Sequence, residues 1–254
     1  MRNMNQGIRG RKSSLSQGTQ KVQTILTKDA PFPYIEAYKT LRTNLDFVSS
    51  ANGIKSILVT SAIPEETKST TAINLAITLA ESNYSVIVVE CDLRKPTLRK
   101  YLKLERGKKG LSSLLSAGLA PDECIVNVDS LGISVIHAGT VPPNPSELLN
   151  QERMRELIEV LKQSYDYVIL DAPPITVVTD AAIVGRMADG ALLVVRSRFA
   201  PTKTIRLAKE RLQAVNVKVL GAVITCFDVK KSGWKSGYDY ERYEYGYGQI
   251  WSRK

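Results

Sequence analysis

Three short stretches carry residue types able to handle a phosphorylated ligand. Residues 61–71, Ser-Ala-Ile-Pro-Glu-Glu-Thr-Lys-Ser-Thr-Thr, lie between an apolar run at 57–59 and a helical pattern over 72–80. A strand, a turn and a helix opening on Lys-Ser is the arrangement in which helix-end N–H groups cradle phosphates, the lysine reaches the outer phosphates and the hydroxyl binds Mg²⁺. The regular spelling is G-x-x-x-x-G-K-[ST]; here Ala62 and Thr67 stand where glycines belong, and Glu65 follows the proline. Pro64, Glu65, Glu66, Thr67, Lys68, Ser69 and Thr70 are the candidate nucleotide contacts, the alternative being an ordinary strand-to-helix turn. A Cβ at position 67 is expected to limit positive φ and close backbone approach to a phosphate.

The other two stretches are acids at the ends of apolar runs. Glu90-Cys91-Asp92-Leu93-Arg94 leaves the run 85–89, and Asp171-Ala172-Pro173-Pro174 leaves the run 166–170. In an open α/β sheet ligands gather at the carboxyl ends of strands, so Glu90 and Asp92 are candidates for Mg²⁺ and nucleophile contact, or else a solvated strand end. Asp171 matches the Walker B position, whose carboxylate supports Mg²⁺ directly or through water.

The elements that must position these residues alternate. Strand patterns at 55–61, 85–89, 133–137, 166–170, 190–196 and 218–225 are interleaved with helical patterns at 72–81, 97–104, 111–117, 145–163, 180–187 and 203–215. Ahead of them, Ile35, Tyr38, Leu41, Leu45 and Val48 recur at three and four and give one more helix. The alternation implies an α/β fold with a mostly parallel sheet and helices on both faces. Its expected organisation is a basic disordered tail over 1–28, one domain over 29–227 and a flexible tyrosine-rich tail over 228–254.

Composition narrows the function class. The formal net charge is +10, but the first 28 residues hold six Lys/Arg and no acid, and residues 228–254 hold six against four acids, leaving the body at +2. The surplus belongs to an arm suited to an anionic surface, or merely to a solvated tail, and not to a nucleic-acid groove. No apolar run approaches a membrane span and no signal-peptide core precedes the domain, so a cytoplasmic protein is expected. Cys91, Cys124 and Cys226 lack metal or disulfide spacing and are expected as free core thiols, and the lone His137 cannot build a metal cluster.

Taken together, EAYKTLRTNL, PEETKSTTAINLA, VVECDLRKP, GTVPPNPSELL, YDYVILDAPP and a C-terminal tyrosine cluster resemble, in order, the bacterial tyrosine kinases of capsule and exopolysaccharide synthesis. The resemblance covers the chain from about residue 34 onward. It implies a P-loop NTPase fold of the deviant-Walker type and the cofactors ATP and Mg²⁺. Lys68 would neutralise phosphate charge, Ser69 hold Mg²⁺, and Asp92 and Asp171 complete the metal environment. Glu90 falls on the family's proton-accepting aspartate, and Arg94 could stabilise charge near the phosphates or pair with an acid. Glu36, Lys39 and Arg42 fall on the family's oligomerisation motif, with lysine in the middle where arginine is usual. The resemblance further implies a homo-oligomeric ring, a transmembrane adaptor that recruits the chain to the membrane and activates it, and protein tyrosine substrates. The phosphoacceptors would be Tyr238, Tyr240, Tyr243, Tyr245 and Tyr247, transferred between subunits. The rivals are a non-catalytic or nucleotide-weak assembly subunit and, disfavoured by the PPNPSELL loop and the tail, a partitioning-type ATPase.

Overall fold

Strands β1 (Ser56–Ser61), β2 (Val86–Glu90) and β5 (Tyr167–Asp171) are buried at every position, the signature of strands in a parallel sheet covered on both faces. The computed structural model describes residues 25–227 apart from 106 and 108, so the tyrosine cluster and most of the basic N-terminal stretch lie outside the described residues. Four further strands are β3 (Val126–Val128), β4 (Ile133–Ile136), β6 (Gly190–Arg196) and β7 (Val219–Thr225), and the seven-stranded sheet runs β3-β4-β2-β5-β1-β6-β7. Every pairing is parallel except β3 with β4.

Successive side chains on a strand point to opposite faces, and the two cores divide accordingly. Ile57, Val59, Val88 and Ile169 pack beneath α1 (Phe32–Asn52) and α2 (Lys68–Ala80). Leu58, Ile87, Val89, Val168 and Leu170 pack on the opposite face. That second face is covered by α4 (Leu111–Ala117), α5 (Pro145–Leu149), α6 (Glu152–Ser164), α7 (Asp180–Gly185) and α8 (Thr202–Ala214). Helix α6 presents Met154, Leu157, Ile158 and Leu161 at helical spacing, whereas α2 is buried nearly all round, as a helix between the sheet and α1 must be.

The structure departs from the sequence expectations in five places. The helix expected over 145–163 is two helices, because Gln151 is extended (φ −70°, ψ 150°) and turns the chain so that Leu149 and Met154 are both fully buried. Edge strand β3 is too short and too polar to show a period. Helix α2 begins at Lys68, ahead of its apolar pattern though where the motif's opening on Lys-Ser put it. Leu26, ahead of the domain boundary expected at 29, packs into the core: it is buried and its N–H donates to Asn74 Oδ1 at 2.8 Å. Cys91 and Cys124 are buried free thiols, but Cys226 is exposed. No described helix is long and apolar enough to cross a membrane.

Candidate nucleotide and metal site

Strand β5 lies between β1 and β2, and the register sets Asp171 opposite Val59 on one side and Glu90 on the other. The loop after β1 and the turn after β2 therefore converge over the end of β5. Backbone bonds tie them there: the N–H groups of Cys91 and Asp92 donate to Asp171 O at 2.8 and 3.1 Å, and that of Ala172 to Val59 O at 3.0 Å.

The loop takes the glycine path without glycines. Glu65 and Thr67 have φ of 66° and 65°, so the expected limit on positive φ at position 67 is overturned. For residues bearing a Cβ this costs about 1–2 kcal/mol each, and the surroundings must supply it. The Glu66 carboxylate is fully buried; Oε2 accepts the Ile63 N–H at 2.8 Å and Oε1 the Arg196 N–H at 3.2 Å. The Thr225 hydroxyl donates to Glu66 O at 3.2 Å, and Arg196 Nη1 to Glu65 O at 3.3 Å. Glu66 was expected among the nucleotide contacts; its side chain instead faces the protein.

From the first turn of α2, Lys68 Nζ reaches Asp92 Oδ2 at 3.0 Å and lies 3.8 Å from Asp171 Oδ1. Burial pulls the Lys68 ammonium down, but the charges of Asp171 and Asp92 outweigh it and hold its pKa above the ordinary value. Burial pushes the Asp171 carboxyl up; the Lys68 charge and the nearby Ser69 hydroxyl pull the other way, and Asp92 adds to the rise. Both Asp171 carboxylate oxygens are buried and accept no hydrogen bond. Its ionic partner Lys68 stands off at 3.8 Å, and a buried carboxylate paired that loosely keeps lone pairs for a second cation. The donors around it, two carboxylates and the Ser69 hydroxyl, are hard oxygens suited to Mg²⁺. No group of three or more His, Cys, Asp or Glu side chains among the described residues could hold a metal by itself.

Lys68, Ser69, Thr70, Asp92, Pro64, Glu65 and Thr67 line a cavity of about 340 Å³, so the structure brings these expected residues together. Lys95, Thr97, Tyr101 and Val177 also line it and went unnoticed in the sequence, and Pro174 does too, though it was read there only as part of the stretch following Asp171. Glu90 does not line this cavity. Its carboxylate accepts the N–H groups of Thr97 and, at 2.7 Å, Leu98, which open α3 (Leu98–Tyr101), and that of Ala138 at 2.9 Å. Burial pushes the Glu90 carboxyl up, with Asp171 adding to it, against the pull of those three amides. Arg94 lines the cavity but is engaged: Nε and Nη2 fork onto the fully buried Asp180 at 2.9 and 3.1 Å, and Nη2 reaches Ser146 Oγ at 2.8 Å. Ser146 lies in the first turn of α5, directly after the proline-rich loop, so this fork joins the turn after β2 to that helix. His137 is buried beside Glu90; burial and the Arg99 charge hold its pKa below the ordinary value.

The expected oligomer residues all lie on α1. Glu36 and Lys39 pair with each other at 2.8 Å, and Arg42 donates to Thr78 O at 3.0 Å.

The AAA_31 family, described as an AAA domain, matches residues 65–219. Tyrosine-protein kinase YwqD of Bacillus subtilis (strain 168) is 40% identical over 205 residues, which is 81% of this chain and 85% of that protein. Tyrosine-protein kinase etk of Escherichia coli (strain K12) is 34% identical over 222 residues, 84% of this chain but 30% of that longer protein. The solved kinase domain of the Escherichia coli tyrosine kinase ETK superposes with a TM-score of 0.73 at 33% identity, covering 87% of this chain and 89% of that domain.

Proposed function

We propose, on the premise that this chain belongs to the bacterial tyrosine-protein kinases, that it transfers the γ-phosphoryl group of ATP to tyrosine hydroxyls in its own C-terminal cluster, between subunits of a homo-oligomeric ring. The observation that carries this reading is the convergence of Lys68 and Asp92 beside the buried Asp171 carboxylate, which accepts no hydrogen bond, beneath a helix N-terminus. When bound, Mg²⁺ neutralises charge on the transferring phosphoryl group. Ser69, Asp92 and Asp171 would hold it. The α2 N-terminus and Lys68 bind and orient the phosphates, and Tyr101, Pro174 and Val177 wall the cavity against water. Little covalent chemistry is asked of the protein, so positioning supplies most of the rate. Tyr238, Tyr240, Tyr243, Tyr245 and Tyr247 are the proposed acceptors. The site's setting is a cytoplasmic kinase recruited to the inner membrane face by a transmembrane adaptor, regulating capsule or exopolysaccharide synthesis, with Glu36, Lys39 and Arg42 at the ring interface.

A second reading, a nucleotide-weak assembly subunit of the same machinery, is favoured by one set of contacts: Glu90 and Arg94, the side chains assigned to proton transfer and charge stabilisation, are both committed to the protein. Mass spectrometry after incubation with Mg-ATP and the adaptor's cytoplasmic segment separates the two. The expected result is phosphate on the tail tyrosines, lost in Lys68→Met and restored by mixing that variant with an active tail-less chain. Absence of phosphotyrosine in the unaltered protein, with nucleotide binding too weak to detect, selects the assembly reading.

A further inference from the structure

The nucleotide loop contains a carboxylate that does not face the cavity, and the residues on either side of it hold backbone conformations that side chains resist. Glu66 is fully buried between Glu65 and Thr67, the two residues at positive φ. Its two oxygens bind the Ile63 N–H, three residues back in the same loop, and the Arg196 N–H at the end of β6. Its carbonyl takes the Thr225 hydroxyl at the end of β7. The neighbouring Arg196 guanidinium holds Glu65 O and stacks on the Phe199 ring at 4.5 Å from its centroid.

We propose that Glu66 is the positioning residue of the nucleotide loop: through the Ile63 and Arg196 amides it holds Glu65 and Thr67 in a left-handed backbone that only glycine adopts freely, and that a glycine supplies at position 67 in the regular spelling. The two features are coupled by geometry. Relaxing either flanking residue to negative φ redirects the chain at Glu66 and withdraws its carboxylate from two amides, which strands a buried charge. Conversely, without the carboxylate, opposition to that relaxation falls to the longer contacts of Arg196 with Glu65 O and Thr225 with Glu66 O, and the N–H groups leading into α2 point together at a phosphate less well. The staple therefore sets affinity for the polyphosphate, and it matters more here than in a loop with glycine at 65 and 67. This inference rests on the nucleotide-binding reading above.

The test is a double-mutant cycle on the full chain, with Glu66→Gln in the native loop and in a Glu65→Gly/Thr67→Gly background, read by calorimetry with Mg-ADP. Glutamine keeps the volume but turns one amide group toward an amide. The expected result is a loss of about tenfold in affinity in the native loop and about threefold or less in the glycine background, a coupling that independent sites would not give. Amide hydrogen exchange without nucleotide supplies the second readout. Glu66→Gln should speed exchange at Ile63 and Arg196 in the native loop, with the midpoint of global unfolding shifted far less than a general packing defect would shift it. Equal losses in both backgrounds, or unchanged exchange at those two amides, overturn the proposal. If no variant binds Mg-ADP but exchange still shows the coupling, the nucleotide reading fails and the staple stands. Should Glu66→Gln fail to fold in the native loop, folding of the triple variant is the same rescue, and failure in both backgrounds overturns it.

Discussion

The loop after β1 and the turn after β2 face each other across the same cavity, and they depart from the regular motifs in opposite ways. The loop is misspelled at both glycine positions, yet Thr67 holds the left-handed backbone that a glycine would and Lys68 sits over the strand-end acids. The turn is spelled almost as the motif requires, yet Glu90 and Arg94 are consumed by contacts within the protein, and only Asp92 reaches Lys68. Spelling and availability are therefore separate properties. A motif letter says what chemistry a side chain can do, while the hydrogen bonds around it decide whether it is free to do it.

Glu90→Gln gives the largest expected effect on that comparison. Three backbone N–H groups depend on this buried carboxylate, and glutamine presents a donor to at least one of them. A stability loss of about 2–4 kcal/mol in urea denaturation is expected, since a hydrogen bond to a charged group is worth about 1.5–3 kcal/mol and an orphaned amide costs further. Any fall in phosphotransfer should then follow the folded fraction. Unchanged stability with a collapsed kcat would break the comparison, because it would make Glu90 a reagent.

How much of this was legible in the sequence depends on the kind of signal. Runs such as 57–59, 86–89 and 167–170 announce buried strands because a parallel sheet covered on both faces demands continuous apolar residues. The cavity's acids were legible for the same reason, as charges ending such runs. Edge strand β3 was not, because a three-residue strand pairs mainly through its backbone and carries no period. Nor were the partners of Glu90 or Glu66. Ala138 lies 48 residues from Glu90, and Arg196 lies 130 residues from Glu66; each meets its carboxylate only because the sheet order brings their strands' ends together.

Arg94→Ala tests the other committed side chain and should cost less. It leaves the fully buried Asp180 without its fork, and the loss of a partner from a buried pair runs to about 3–5 kcal/mol. The Arg94 side chain is 40% exposed, so solvent screens part of that, and about 2 kcal/mol is the expected loss. The proline-rich loop should loosen with it, seen as faster amide exchange over 142–149. A variant as stable as the parent but with sharply weaker nucleotide binding would return Arg94 to the phosphates and narrow the difference between loop and turn.

The smallest expected effect comes from a carboxylate at the opposite end of the sheet, where no chemistry is proposed. Asp189 Oδ2 accepts the Lys55 and Ser56 N–H groups at 2.9 and 2.8 Å where β1 begins, and Oδ1 pairs with Lys162 at 2.9 Å. It is the same device as Glu90, a carboxylate gripping amides, but partly open to water. Burial pushes the Asp189 carboxyl up, yet the Ser56 amide, the Lys162 ammonium and the Lys55 amide outweigh it and hold its pKa below the usual carboxylate range. A depressed folded pKa means stability that is full above the unfolded value, about 3.9, and lost as pH falls through the folded one. Asp189→Asn should therefore cost about 1 kcal/mol at pH 7, with the gap to the parent closing as denaturation is repeated below about pH 4. A gap that stays constant down to pH 3 would assign the loss to altered packing. A gap near that of Glu90→Gln would mean that amide-gripping carboxylates are equally strong at both ends of the sheet, and that burial beside the cavity adds nothing to the grip of Glu90.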